Sequence, residues 1–278
     1  VHKLGYRPNL VARSLRQQKS KVIGVIVPIF QDENNNLFFM KVSQGIEKTL
    51  KKYGYSMLLS NSNEDIVDEK KQIEILMSQM IEGLIVAPCL EEYNHFLKNV
   101  GNIPIGFIDR LPENCEVDCA LSDNYDAIKS VVNDMVSKGY DKIAYIGGDV
   151  FLSTGKDRYK GYVDGLVENG IVEDPDLVRY AVSDRETGRR FAEEIINKRP
   201  QCLIVGCNTM LMGVMDFLSE SEICVPKDMK LVGFDDRSWT QFTRPSITVN
   251  RQPESEIGES IAEIIIRRIE DPALPRQV

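Results

Sequence analysis

The stretch KVIGVIVPIFQDENNNLFFMKVSQGIEKTLKKYGYSMLLS, residues 21–60, decides the fold. It opens with KVIGVIV (21–27), an apolar, β-branched run of the kind found in strands buried on both faces. Pro28 ends the run, because it lacks the amide hydrogen a ladder needs. After a polar loop, Phe39, Val42, Ile46, Leu50 and Tyr53 recur at helical spacing, and Gly54 closes the helix. YSMLLS (55–60) is the next strand. Strand, helix, strand is the repeating unit of a parallel sheet.

The same alternation continues in both directions from this unit. Ile66, Ile73, Leu76, Met77 and Met80 mark one face of a second helix, and GLIVAP (83–88) and IPIGFID (103–109) read as strands with a short helix between them. A second series begins near Ser122 or Asp123, either of which can cap a helix with the apolar face Ile128, Val131, Val132, Met135 and Val136. Strands are expected at KIAYIG (142–147), LVRYAV (177–182), CLIVG (202–206) and KLVGF (230–234), with helices over 154–169, 185–198 and 208–219 between them. A final strand and a Gln-Pro break lead into a helix with Ile257, Ile261, Ile264 and Ile265 turned inward. These are too many strands for one open sheet. Two similar doubly wound, parallel α/β lobes follow, joined near Ser122, with a ligand cleft expected between the carboxyl ends of the two sheets.

Charge is unevenly placed. The 278 residues sum to a net charge of −8, but residues 1–31 carry six Lys and Arg and no acid, leaving −14 for the rest. A basic arm on an acidic body suggests two jobs. No apolar run of about 18 residues exists to span a membrane. The basic, Asn/Gln-rich start is unlike a signal peptide, and the missing initiator methionine is read as trimming of a longer chain. Six cysteines at irregular spacing read as reduced thiols of a cytoplasmic protein, with Cys115 and Cys119 the one conceivable local pair. His2 and His95, far apart and without a CxxC, give no metal site. No phosphate-binding loop, nucleophile elbow, HExxH or GxGxxG occurs, so neither an enzyme nor a cofactor is expected.

Asp109, after one strand, and Asp235, after another in FDD (234–236), are carboxylates at strand ends, and Arg158 lies near a helix start. Each also reads singly as a loop or cap residue. Together, without a nucleophile–base pair, they suit polar-ligand binding rather than catalysis. At the other end, Pro8 and Asn9 enter a helix over LVARSLR (10–16), too short to be stable alone. Leu15 with Arg13 and Arg16 beside it fits a wedge for a DNA minor groove, and equally a solvated basic tail.

LGYRPNLVARSLR (4–16) followed by IGVIVP (23–28) resembles the hinge and first strand of the LacI/GalR transcriptional regulators. The resemblance continues through NLFF (36–39), GIE (45–47), GYSMLLSNS (54–62), EGLIVAP (82–88), Asp109-Arg110, Asp123-Asn124 and KIAYIGG (142–148). It then runs through Arg158 with Gly161-Tyr162, the VP-x-D at 225–228, GFDD (233–236) and RQP-x-x-x-IG (251–258), nearly the whole chain in order.

The resemblance implies a periplasmic-binding-protein-like (type I) core, two lobes joined by three crossings and preceded by a short hinge helix. Residues 1–21 are then the end of a DNA-binding headpiece with the hinge, 22–122 plus 251–278 the N-terminal lobe, and 123–250 the C-terminal lobe. It implies that Asn9, Arg13, Leu15 and Arg16 face DNA. Phe38, Asp109, Thr154, Arg158, Asn208, Asp235 and Trp239 would face a small effector. The paired Arg and Asp suit a sugar or sugar derivative, and Trp239 would stack on a sugar face or pack in the core. Cys207-Asn208 stands where Asn-Asp or Ser-Asp is usual, Leu37 where proline is common, and Ser183 where purine-responsive members stack an aromatic. The partners implied are operator DNA, a carbohydrate effector and a second copy of the chain, with room for a protein co-effector and none for a membrane. The same core fold serves solute receptors of sugar transport, the alternative reading.

Overall fold

Val22–Val27 forms strand β1, and five of its six residues are buried. A computed structural model describes residues 19–29, 37–89, 93, 100–236, 238–244 and 246–278. In chain order the elements are β1, α1 (Leu37–Lys52), β2 (Ser56–Asn61), α2 (Ile66–Ser78), β3 (Gly83–Val86), β4 (Ile105–Ile108) and β5 (Asp118–Ala120). Then come α3 (Asn124–Ser137), β6 (Ile143–Gly147), α4 (Ser153–Glu168), β7 (Val178–Tyr180), α5 (Arg185–Ile196) and β8 (Cys202–Val205). The chain continues with α6 (Asn208–Glu220), β9 (Lys230–Phe234), β10 (Thr248–Asn250) and α7 (Glu254–Glu270). The hinge residues Asn9, Arg13, Leu15 and Arg16 lie outside the described residues, as does most of the segment between β3 and β4 where a short helix is expected.

The chain divides into two units. One runs up to Leu121 and resumes at Glu254–Val278; the other is Ser122–Pro253. The chain passes between them at 121–122 and at 253–254, and a third passage is not found among the described residues.

Each unit holds one five-stranded parallel sheet. The first has the order β2-β1-β3-β4-β5 and the second β10-β9-β8-β6-β7. Read from its other edge, the second repeats the first: the opening strand of each lobe lies second from the edge, between its own second and third strands. Alternate residues of a strand face opposite sides, and both sides are covered. In lobe 1, Val25 and Ile85 pack with Val42, Ile46, Ile261 and Ile265 of α1 and α7. On the other side Ile26, Val86 and Phe107 meet Ile73 and Leu76 of α2. In lobe 2, Ile146, Leu203 and Val205 face α5 and α6, while Tyr145, Ile204 and Phe234 face α3 and α4. Each such buried side chain contributes roughly 1.5–3 kcal/mol. Helices pair closely over these faces. A Cβ at Gly258 of α7 would strike the Val42 carbonyl of α1, and one at Gly213 of α6 the Arg185 carbonyl of α5.

Some expected faces are corrected. Tyr53 is exposed, because α1 ends at Lys52 and residues 53–54 turn away. Met80 is exposed beyond the end of α2, Ile66 is half-buried, and Glu69 is buried on that helix instead. On α7, Ile266 rather than Ile264 completes the buried stripe. Cys115 and Cys119 are buried thiols that form no disulfide with each other, and none of the other cysteines is in a disulfide among the described residues.

Candidate functional site

Both sheets present an aspartate just past their fourth strand. Asp109 follows β4 with φ 65° and Asp235 follows β9 with φ 71°. The left-handed conformation is unfavourable for most L-residues, and Asp is among the few that tolerate it. In each case the backbone N–H donates to the last carbonyl of the next strand, Asp109 to Ala120 at 3.3 Å and Asp235 to Asn250 at 2.8 Å. Both side chains are buried. The sequence reading of two strand-end carboxylates is therefore a matter of equivalent geometry in two lobes.

In lobe 2, Asp235 Oδ1 accepts from Gln252 Nε2 at 2.6 Å, and Gln252 Oε1 accepts from Ser122 Oγ at 2.6 Å. Arg158, in the second turn of α4, is buried. Its Nε donates to Asn124 Oδ1 at 2.7 Å and its Nη1 to the Gly206 carbonyl at 2.8 Å, while the guanidinium lies 3.8 Å from the Phe234 ring centre. Arg158 thus joins the end of β8 to the residue before Asp235. Asn208, the first residue of α6, is only 4 % exposed, and its Oδ1 and Nδ2 have no hydrogen-bond partner among the described residues. Thr154 is half-buried, one helical turn before Arg158 on the same face of α4. Trp239, half-buried in a short turn of 3₁₀ helix, packs against the core of this lobe, with a buried Nε1–H that has no hydrogen-bond partner among the described residues.

Tyr145 of β6 adds a third orphan. Its ring stacks on Tyr162 with centres 5.0 Å apart, and its buried hydroxyl lies against Gly147 and Gly206 without a hydrogen-bond partner among the described residues. Burial pushes that phenol up, and burial likewise pushes up the Cys207 thiol, whose Sγ is 3.4 Å from Ser183 Oγ.

In lobe 1, Phe38 is 6 % exposed and sits in the core, edge-on to Phe39 with ring centres 5.0 Å apart. Asp109 Oδ2 is 3.2 Å from Arg110 Nε. Arg110 is also paired with both carboxylate oxygens of Glu64, Nη2 to Oε2 at 3.1 Å. Beside them, the buried Glu69 carboxylate accepts from Cys89 N–H at 3.0 Å and Tyr93 O–H at 2.8 Å. Burial raises its pKa.

Glu64, Gln252, Asn124 and Tyr145 do not stand out in the sequence. Their partners lie 46, 17 and 34 residues away for the first three, and Tyr145 reads as an ordinary strand aromatic. Among the described residues no cluster of His, Cys, Asp and Glu is arranged to hold a metal ion, and no helix is long and apolar enough to cross a membrane.

Residues 20–278 match a family model for periplasmic binding proteins and the sugar binding domain of the LacI family. The chain is 27 % identical over 98 % of its length to the HTH-type transcriptional repressor PurR of Vibrio atlanticus, covering 81 % of that protein. It is 28 % identical over 96 % of its length to the HTH-type transcriptional regulator RegA of Clostridium saccharobutylicum, covering 80 % of it. Among solved structures, a candidate ribose operon repressor from Burkholderia thailandensis superposes with a TM-score of 0.83 at 27 % identity, over 94 % of this chain and 97 % of that one. The transcription regulator CcpA of Lactococcus lactis shares the fold, with a TM-score of 0.83 at 23 % identity over 92 % of this chain and 94 % of that one. Each of these relatives is named as a transcriptional repressor or regulator.

Proposed function

The chain belongs to the LacI family, and from that premise we propose that it is the sensing core, with a hinge segment, of a dimeric cytoplasmic repressor. Its effector is a small polyol, a sugar or sugar derivative. Arg158, Asn208, Asp235, Thr154 and Trp239 of lobe 2 and Asp109 and Phe38 of lobe 1 contact it. Asn9, Arg13, Leu15 and Arg16 contact operator DNA, and effector binding shifts operator affinity by about 1–3 kcal/mol, a usual size for such coupling.

The observation that carries this reading is the Asn208 amide, buried with neither atom bonded. Leaving a buried polar group unsatisfied costs roughly 1–3 kcal/mol, so such groups persist where something else supplies the partner. An amide beside a guanidinium and a carboxylate offers donors and acceptors to adjacent hydroxyls. The relatives named as repressors support the regulatory half of the reading.

A thermal-shift panel of pentoses, hexoses, disaccharides, sugar phosphates and purines tests it. A ligand at about 100 times its Kd adds roughly 2.7 kcal/mol, and a hit that disappears in Asn208→Leu supports the site. A flat response from well-folded protein overturns the sugar reading and turns attention to a protein co-effector.

A further inference from the structure

Arg158 is a buried cation whose partners are all uncharged. It is 8 % exposed, yet it meets an amide oxygen, a backbone carbonyl and an aromatic face, and no carboxylate among the described residues lies within ion-pair distance. Its Nη2 group makes no hydrogen bond there. The other well-shielded arginines are neutralised: Arg110 is held by Glu64 and Asp109, and Arg268 Nη2 is 2.8 Å from Asp118. Buried charges are ordinarily paired, because removing an ion from water without a counter-charge costs several kcal/mol.

The surroundings lean the same way. Helices α2, α3 and α5 are each capped by an aspartate, Asp65, Asp123 and Asp184. Helices α4 and α6 have Leu152 and Cys207 at that position, no side-chain cap and no acid in the first turn. These two helices follow β6 and β8, the strands flanking the point where the order of the second sheet reverses, and they carry Arg158 and Asn208. Uncapped helix N-termini present backbone N–H groups and partial positive charge, which favour anions. No acid among the described residues is within ion-pair distance of Arg158. Asp123 is occupied with the Asp126 N–H at 3.0 Å, Asp235 accepts from Gln252, and Asp157 is exposed on α4.

We infer that the effector carries an oxyanion, a phosphate or a carboxylate, and that Arg158 is its counter-charge at the carboxyl end of the second sheet. This rests on the reading of that site as the effector site. One molecule then satisfies both halves of lobe 2: its oxyanion takes Arg158 Nη2 and the helix ends, and its hydroxyls take Asn208 and Asp235. Charge-assisted hydrogen bonds are about twice as strong as neutral ones.

The test is binding by calorimetry and thermal shift of matched pairs: ribose with ribose 5-phosphate, glucose with glucose 6-phosphate, and glucose with gluconate and glucuronate. Inorganic phosphate alone is included. Wild-type protein, Arg158→Gln and Arg158→Lys are compared, with ligand-free melting to verify that each is folded. The expected result is a charged member binding roughly tenfold to a hundredfold more tightly than its neutral parent, with that preference lost in Arg158→Gln and partly kept in Arg158→Lys. The phosphate and carboxylate arms identify which oxyanion is used. Neutral sugars binding as tightly as their charged partners, or charged binding indifferent to Arg158→Gln, overturns the inference and leaves sugar sensing standing. Arg158-dependent binding of inorganic phosphate without any sugar keeps the oxyanion site and overturns the sugar. Silence from every compound overturns both.

Discussion

Asp109 and Asp235 occupy equivalent places in two sheets of the same strand order, yet their lobes handle charge in opposite ways. In lobe 1 the aspartate neighbours Arg110, which is clamped by Glu64. In lobe 2 the aspartate is held by the neutral amide of Gln252, and the nearby Arg158 by neutral oxygens. Buried side-chain atoms without a hydrogen-bond partner among the described residues occur in both lobes: the hydroxyls of Ser43, Thr49 and Ser62 and Arg110 Nε in lobe 1, and Asn208, Tyr145 and Trp239 in lobe 2. A shared scaffold therefore does not dictate a shared site. Lobe 1 pairs its strand-end arginine with carboxylates, whereas no carboxylate among the described residues lies within ion-pair distance of Arg158 in lobe 2.

Removing one arginine from each lobe breaks the comparison most sharply. Arg110→Met strands two carboxylates and is expected to cost about 3 kcal/mol of ligand-free stability, as breaking a buried pair does. Arg158→Met removes no ion pair and is expected to cost about 1 kcal/mol. Urea denaturation of both variants gives the two numbers, and equal losses would mean that Arg158 has a structural counter-charge after all.

The scaffold itself predicts no such asymmetry. Gly213→Ala drives a methyl into the Arg185 carbonyl in lobe 2, and Gly258→Ala one into the Val42 carbonyl in lobe 1. Each should lose about 2 kcal/mol through forced separation of paired helices. Thermal melts that differ widely between them would show that the helix pairs are not equivalent, whatever the strand order.

What the residues announce in advance follows the same line. Central strands such as β1 and β8 are legible because a strand covered on both faces must be apolar at every position, with no polar alternation to confuse it with a helix. Asp109 and Asp235 are legible because a carboxylate immediately after such a run falls at a sheet's carboxyl end. Tyr53 is misleading: its spacing from Leu50 fits the helix, but the helix has already ended at Lys52. Glu69 is hidden because nothing local tells a buried acid from the solvated acids around it on α2. Which arginine has a counter-ion is equally invisible, since Glu64 reaches Arg110 across 46 residues. Composition and periodicity report burial; pairing is a tertiary fact.

Asn208→Leu sharpens the comparison with a smaller effect of opposite sign. Leucine is near asparagine in size and has no polar atoms to leave unsatisfied, so ligand-free stability should rise by about 1 kcal/mol. A fall of similar size in Tm measurements would mean that the amide is structurally partnered in the ligand-free protein.

Glu69 of lobe 1 is a buried carboxylate with no cation beside it among the described residues, and it accepts from the Cys89 N–H and the Tyr93 hydroxyl. Burial raises its pKa from 4.5, with Glu64 adding repulsion. The folded state therefore holds this proton more tightly than the unfolded chain does. Its contribution is fully present below the unfolded pKa and is lost as pH rises through the folded one. Glu69→Gln has no proton to lose. Its stability relative to wild type should climb as pH rises from 4.5 through the raised folded pKa and then level off. The climb is about 1.4 kcal/mol for every tenfold by which folding tightens the hold on the proton. Tm differences between the two proteins across that range give the curve. A difference that is flat with pH would mean that lobe 1 offsets the charge of Glu69 as fully as it does those of Glu64 and Asp109.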